Sequence, residues 1–175
     1  MGVAIEPIVS ETTQVDPGFW LKAANRAVRA ECGWHVAPII TEELVLDGPG
    51  GTTLLVPSKR VRGIISATSD GRDVTDKVRF SRRAGVLTLE SGWSCEVGSI
   101  ELKIQHGYDL DEVPDVAALI VTLTKRAASG GPVVQQAVGP ASVRLATGRD
   151  GAALGVPLLE SEKDVLAPYK LNWGP

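Results

Sequence analysis

The sequence is poor in the side chains that usually carry chemistry. Histidine occurs only at His35 and His106, and cysteine only at Cys32 and Cys95. Two cysteines cannot build a disulfide framework, and these lie too far apart for a metal knuckle. Both are expected as small buried or half-buried thiols in a reducing compartment. Aromatic residues are 5% of the chain, too few for surfaces that grip carbohydrate or stack on nucleic-acid bases. No apolar run approaches the length of a membrane span. The N-terminal stretch also lacks the basic run and apolar core of a signal peptide. A product folding in a cytoplasm, with no membrane partner, is therefore expected. Internal repeats and low-complexity segments are absent as well.

The recognised catalytic patterns are missing too. There is no Gly-x-Ser-x-Gly elbow, and neither histidine sits in a triad context. Gly48-Pro49-Gly50-Gly51 is no phosphate cradle, because a P-loop continues through Gly-Lys-Ser/Thr into a helix, whereas Thr52-Thr53-Leu54 leads into a strand. A zinc site needs three or four convergent ligands. Cys32, His35, Cys95 and His106 are the only nitrogen or sulfur candidates, and they are read as ordinary loop and strand residues despite the suggestive Cys32–His35 spacing. Asp109, Asp111, Glu112 and Asp115 invite a calcium reading, but the loop glycine and distal bidentate Glu of an EF-hand are absent. These acids are expected to solvate a loop and to complement the positive end of a helix. No catalytic residue, cofactor or metal is expected, and the chain is not expected to be an enzyme.

What the chain does have is turns. Its 175 residues include 19 Gly and 11 Pro, with 43% hydrophobic and 22% charged residues. That mixture favours short strands over long helices in one domain, or one domain carrying an insertion. The net charge of −3 argues against a strongly DNA-attracting surface. It is unevenly spread: residues 58–107 carry nine bases and six acids, against seven acids and three bases before them and eight acids and six bases after. Lys59, Arg60, Arg62, Arg79, Arg82 and Arg83 are the candidates for a basic patch, facing acidic subunits or DNA.

Periodicity divides the chain. Residues 1–33 read as an N-terminal arm and a first helix. Asp16-Pro17 caps it, Trp20, Ala23, Ala24, Ala27 and Val28 recur at helical spacing, and Gly33 ends it. Residues 34–108 read as an inserted β-domain of five or six antiparallel strands forming a sheet or sandwich. Leu44–Leu46, Leu54–Val56, Val61–Thr68, Val78–Phe80, Val86–Leu89 and Ile100–Ile104 are the candidates, with Asp70-Gly71 as a hairpin turn. Residues 109–175 read as a second helix, an extended arm, a third helix and a C-terminal tail, sharing one helical core with 1–33. The second helix begins at Pro114. Val116, Leu119, Ile120, Leu123 and Ala127 form its face, and Val121 widens it enough that the helix is expected to be largely buried. The arm covers Val133–Ala146 and a Gly-rich loop covers Thr147–Gly155. The third helix runs from about Pro157 to Ala167, with Leu158, Leu159, Val165 and Leu166 on one side. The fold class is α+β, with short helices as a core around an antiparallel insertion. Tyr169 and Trp173 stand out in the tail, since large aromatics of this kind commonly anchor interfaces.

Three stretches, in this order and spacing, resemble the head–tail connector (adaptor) proteins of long-tailed bacteriophages. The first is Val97-Gly98-Ser99-Ile100-Glu101-Leu102-Lys103-Ile104-Gln105-His106-Gly107-Tyr108-Asp109 with Val113-Pro114-Asp115-Val116. It is similar to that family's strand, "His-Gly-Tyr" and "Val-Pro-x-x-Val" sequence, and relatives from actinobacterial hosts carry a β-insertion before this point. Val138-Gly139-Pro140-Ala141-Ser142-Val143 resembles the "Val-Gly-x-aromatic-Ser-Val" stretch, with Ala141 in place of the aromatic. Leu166-Ala167-Pro168-Tyr169-Lys170 resembles "Leu-x-x-Tyr-Arg", with Lys170 in place of Arg. Segment order extends the resemblance from about Asp16 to Lys170.

The resemblance implies a structural virion protein of the neck, between capsid and tail. It implies a ring of this chain, dodecameric like the portal, docked beneath the portal protein and extending the DNA channel. The next neck or tail protein (a stopper or tail terminator) binds the other face, and genomic DNA passes through without being read. Val138, Gly139, Ser142, Val143, Arg144 and Leu145 are then the inter-subunit arm. Tyr169, Lys170, Leu171 and Trp173 are the portal interface, with Leu171 and Trp173 resting on the interface chemistry of the tail. The competing readings are another neck or tail-completion protein, or a β-sandwich module binding a small ligand.

Overall fold

A computed structural model of the chain describes residues 14, 16–129, 135–138, 141–144, 156 and 158–171. The class is α+β, as the patterning predicts. Helix α1 spans Pro17–Cys32. The Phe19 amide donates to Asp16 Oδ1 at 2.8 Å, so Asp16 caps the helix and satisfies one of its orphan donors. Its fully buried positions, Ala24, Val28 and Cys32, fall four residues apart on one face.

All seven strands of the β-region lie between residues 34 and 108: β1 (Ile40–Leu46), β2 (Thr53–Leu55), β3 (Val61–Ser69), β4 (Arg72–Asp73), β5 (Val78–Phe80), β6 (Val86–Leu89) and β7 (Ile100–His106). They form a four-stranded sheet of order β1-β7-β3-β4 and a three-stranded sheet of order β2-β6-β5, with every pairing antiparallel. Leu54 and Val56, Leu87 and Leu89, Val61 and Ala67, and Ile100, Leu102 and Ile104 close one core between the sheets, with Trp93. Each large aliphatic side chain buried there contributes about 1.5–3 kcal/mol. The Asp70-Gly71 turn joins β3 to β4 with both residues at positive φ, 54° and 70°, the backbone a two-residue type I′ hairpin requires. Strand β4 is the one the patterning misses, since two residues cannot display an alternation. Gly85 lies in the turn between the paired strands β5 and β6, and a Cβ there would sit 1.9 Å from the Ser58 carbonyl oxygen.

Helix α2 spans Pro114–Ala128, as predicted. Val116, Leu119, Leu123 and Ala127 are buried, but Val121 is 48% exposed, so the expectation of a largely buried helix does not hold on that side. The predicted extended arm is a hairpin: β8 (Gln135–Val138) pairs antiparallel with β9 (Ala141–Arg144), in register from Gln135↔Arg144 to Val138↔Ala141. The alternation of Val143 with its neighbours signals a strand but says nothing of the partner.

Helix α3 spans Glu160–Leu166 and runs into a 3₁₀ turn, Ala167–Tyr169. The Leu159 amide donates to Glu162 Oε2 at 2.8 Å, which fixes this later start. Leu158 and Leu159 therefore precede the helix and do not share its phase. Leu166 is buried, whereas Leu159 and Val165 are exposed, so these four residues do not form the single apolar side expected. The loop at 147–155 and residues Gly139, Leu145 and Trp173 lie outside the described residues.

The chain separates into two compact units. One comprises residues 1–27 and 119–158, the other residues 28–118 and 159–175. Among the described residues no helix is long and apolar enough to cross a membrane.

Candidate functional site: the His-Gly-Tyr corner

The last residue of β7 and the two after it form the most heavily constrained point of the larger unit. Strand β7 alternates strictly, placing Ile100, Leu102, Ile104 and His106 inward, so period two carries a histidine into the core. His106 is fully buried, and its Nε2 donates to Glu42 Oε2 at 2.9 Å. Glu42 lies on β1 two residues from Ile40, the register partner of His106, and so shares its face. The other ring nitrogen, Nδ1, is buried without a partner.

His35 reaches the same place from the segment between α1 and β1. Its ring meets that of His106 edge to face, with centroids 4.5 Å apart, and its Nε2 donates to the Pro38 carbonyl oxygen at 2.9 Å. Gly107, at φ +114°, permits this approach: a Cβ there would lie 2.5 Å from Pro38 O and 2.6 Å from His35 Nε2. Val36, buried and β-branched, is held at φ +64°, a left-handed conformation costing about 1–3 kcal/mol that only surrounding packing sustains. Burial lowers the affinity of both imidazoles for a proton. His106 lowers that of His35 further, while Glu42 opposes the effect on His106. Both rings are accordingly neutral near neutral pH.

Tyr108 continues the corner outward. The Trp34 ring stacks on His106 at 6.3 Å and tilts against Tyr108 at 5.9 Å, while Tyr108 meets Tyr169 edge to face at 5.5 Å. The Arg60 guanidinium lies 5.6 Å from the Tyr108 ring centre and pairs with Glu112 at 2.7 Å; Arg62 pairs with the same carboxylate.

The predicted portal residues make contacts within this unit. The Trp34 indole donates to the Tyr169 carbonyl oxygen at 2.7 Å, and the Tyr169 hydroxyl donates to both Asp115 carboxylate oxygens at 3.0 Å. Burial and that carboxylate push the Tyr169 hydroxyl up to about 12. Lys170 pairs with Glu31 at 2.6 Å, and the Leu171 amide donates to the Cys32 carbonyl oxygen at 2.9 Å. Each remains only half-buried. The described arm residues Val138, Ser142, Val143 and Arg144 belong to the β8–β9 hairpin.

The acids weighed for calcium do not converge. Glu112 accepts the Asp109 amide and the two arginines, and Asp115 accepts Tyr169. Among the described residues, the group whose possible ligand atoms come together is His35, Glu42 and His106, all within 4.8 Å of one another. Neither cysteine belongs to it; Cys32 is buried, which pushes its thiol up to about 11, and Cys95 is exposed. Cys32 and His35, close in the sequence, are thus separated: His35 belongs to the group and Cys32 does not. Glu42 was missed because its role depends on strand register.

The basic residues are also divided. Lys59 donates to the Pro168 carbonyl oxygen, and Arg79 pairs with Glu90 at 3.4 Å in full solvent. Arg82 and Arg83 line a groove with Arg60 and Arg62.

Helix α2 offers a different kind of surface. Ala117, Val121 and Ala128 lie within about 60° of one another around the helix and are exposed, opposite the buried Val116, Leu119, Leu123 and Ala127. Sequence comparison matches this chain to no protein-family model and to no curated protein.

Proposed function

We propose that the chain is a structural subunit of a phage head–tail connector: a ring that docks beneath the portal, extends the DNA channel and receives the next neck or tail protein. The observation that carries this reading is the second apolar face of α2. Apolar residues on the outer side of an amphipathic helix are covered when a second helix packs there. Ala117, Val121 and Ala128, with Thr124 among them, form such a side, the three apolar ones exposed in the single chain. Small residues there permit the close approach of a neighbouring helix in a ring wall. The β8–β9 hairpin, paired only to itself among the described strands, is the arm that reaches an adjacent subunit. The ordered His106-Gly107-Tyr108, Val113-Pro114-Asp115-Val116 and Leu166-Ala167-Pro168-Tyr169 sequences lend the reading its specificity. In this reading the chain performs no catalysis, and DNA passes through without base-specific contacts.

The test is to mix the purified chain with portal rings and image the product by electron microscopy. An added ring beneath the portal is expected, and its absence at high excess of the chain would sink the proposal. Trp173→Ala is the sharper probe of the portal anchor. Truncation after Pro168 would also remove the contacts of Tyr169, Lys170 and Leu171 with Asp115, Glu31 and Cys32, confusing lost docking with lost stability.

A further inference from the structure

We infer that His35, Glu42 and His106 form a binding site for a divalent transition-metal ion of the zinc class. The inference is independent of the connector reading. One ligand atom from each residue lies within 4.8 Å of the other two. Zinc held at 2.0–2.2 Å by tetrahedral ligands spaces its donors about 3.4 Å apart. Closing the remaining gap needs rotation of His35 and Glu42, both only half-buried, around a His106 fixed in the core.

A neutral imidazole can carry its proton on either nitrogen, so a metal ligand is made by a change of tautomer without a change of charge. A carbonyl or carboxylate only accepts hydrogen bonds, so the contacts to Pro38 and Glu42 place the proton of each imidazole on Nε2. Each Nδ1 is left as a bare lone pair, and that of His106 is buried without any partner. Glu42 faces the Nε2 side of His106, so an ion shared with Glu42 takes the Nε2 lone pair in place of the hydrogen bond, and the ring proton moves to Nδ1. Two imidazoles and one carboxylate suit zinc or a similar ion and leave a fourth position open. Neutral imidazoles also need not surrender a proton to bind. The left-handed Val36 and the side-chain-free Gly107 hold His35 over His106 before any ion arrives.

The structural alternative is a buried histidine paired with one carboxylate and binding nothing. Titration calorimetry with zinc chloride, and visible absorption with cobalt(II), distinguish the two. The full chain carrying Cys95→Ser should be used, because Cys95 is an exposed thiol. The expected result is one ion per chain at micromolar zinc, with a rise in unfolding midpoint of about 5–10 °C at 100-fold excess over the dissociation constant. His35→Gln and Glu42→Gln should each weaken binding at least tenfold. Both side chains are half-exposed, so these variants avoid the core that His106→Gln would disrupt. X-ray absorption of the zinc-loaded chain should show two imidazoles and oxygen. No binding, binding indifferent to both substitutions, or a zinc shell without imidazole would each overturn the inference.

Discussion

Strand β7 and helix α2 are both rich in apolar residues, yet only the strand has all its large aliphatic side chains covered among the described residues. On β7 the large aliphatic residues Ile100, Leu102 and Ile104 point inward and are covered, while Glu101 and Gln105 face water. On α2 one apolar face is covered, and Ala117, Val121 and Ala128 remain on the other. The two sheets close a core around their own side chains, although Val45, Leu55 and Ile65 remain exposed on their outer faces. The helix leaves Val121 and two alanines exposed on the side away from its buried face, the surface on which the proposed assembly relies. On the proposed connector reading, the distinction separates residues that set stability from residues that set association, and substitutions can test it from either side.

The largest effect on stability belongs to the β-core. Leu87→Ala removes a fully buried side chain between the two sheets and should cost about 2–5 kcal/mol in urea denaturation. A loss below about 1 kcal/mol would mean that the core is loose, and the contrast with α2 would fail. Gly107→Ala comes next. The added Cβ meets the Pro38 backbone at 2.5 Å in a conformation that L side chains rarely adopt, so about 2–3 kcal/mol of destabilisation is expected. A crystal structure of the variant should show the His35 segment displaced from His106.

Acid should loosen the same corner. His35 and His106 bind protons more weakly folded than unfolded, chiefly through burial. Between the folded values and the unfolded value of about 6.5, the unfolded chain holds more protons. Stability is therefore full above about 6.5 and falls as the pH drops below it, by at most about 1.4 kcal/mol per pH unit for each histidine. Glu112 acts in a lower window. The Asp109 amide, with Arg60 and Arg62, holds its carboxyl below the ordinary 4.5, so its contribution is lost only as the pH falls further. Urea midpoints from pH 7.5 to 4 should show the histidine loss first, and a flat profile down to pH 5 would contradict the burial of His106.

Much of this was legible in the sequence because it is written in local signals. Asp16-Pro17, Asp70-Gly71 and the alternation of β7 each specify their geometry within a few residues, and the structure reproduces all three. What was not legible depends on register and partnership. The convergence of Glu42 and His106 requires β1 to pair with β7 in one particular alignment, and no spacing along the chain encodes that. The arm read as extended because a strand pattern is the same whether its partner is a neighbour or itself. Tyr169 and Lys170 read as interface residues because their partners within the chain, Asp115 and Glu31, lie far away in sequence.

Tyr169→Phe is a smaller probe of that last point. It removes one hydroxyl shared between two carboxylate oxygens in a half-exposed setting, so a loss of about 1 kcal/mol is expected. Titration of the Tyr169 phenol should also show a value near 12 in the folded chain, raised first by burial. A phenol titrating like a free tyrosine would show that the segment does not stay docked in solution.

Val121→Asp should have the smallest effect on the chain and the largest on its assembly. Position 121 is 48% exposed, and exposed helical positions tolerate substitution within about 0.5 kcal/mol. A carboxylate placed in a subunit interface is different, because it must be desolvated beside small apolar neighbours without a counter-ion. The urea midpoint should therefore hardly move while ring addition to the portal is lost. Leu87→Ala gives the opposite pattern under mild conditions, with a weakened chain whose α2 surface is intact. If Val121→Asp destabilises the monomer as strongly as a core substitution, that face is already covered by this chain, and the contrast between strand and helix collapses. If it leaves both stability and ring addition unchanged, the exposed side of α2 takes no part in assembly, and the observation behind the connector reading falls.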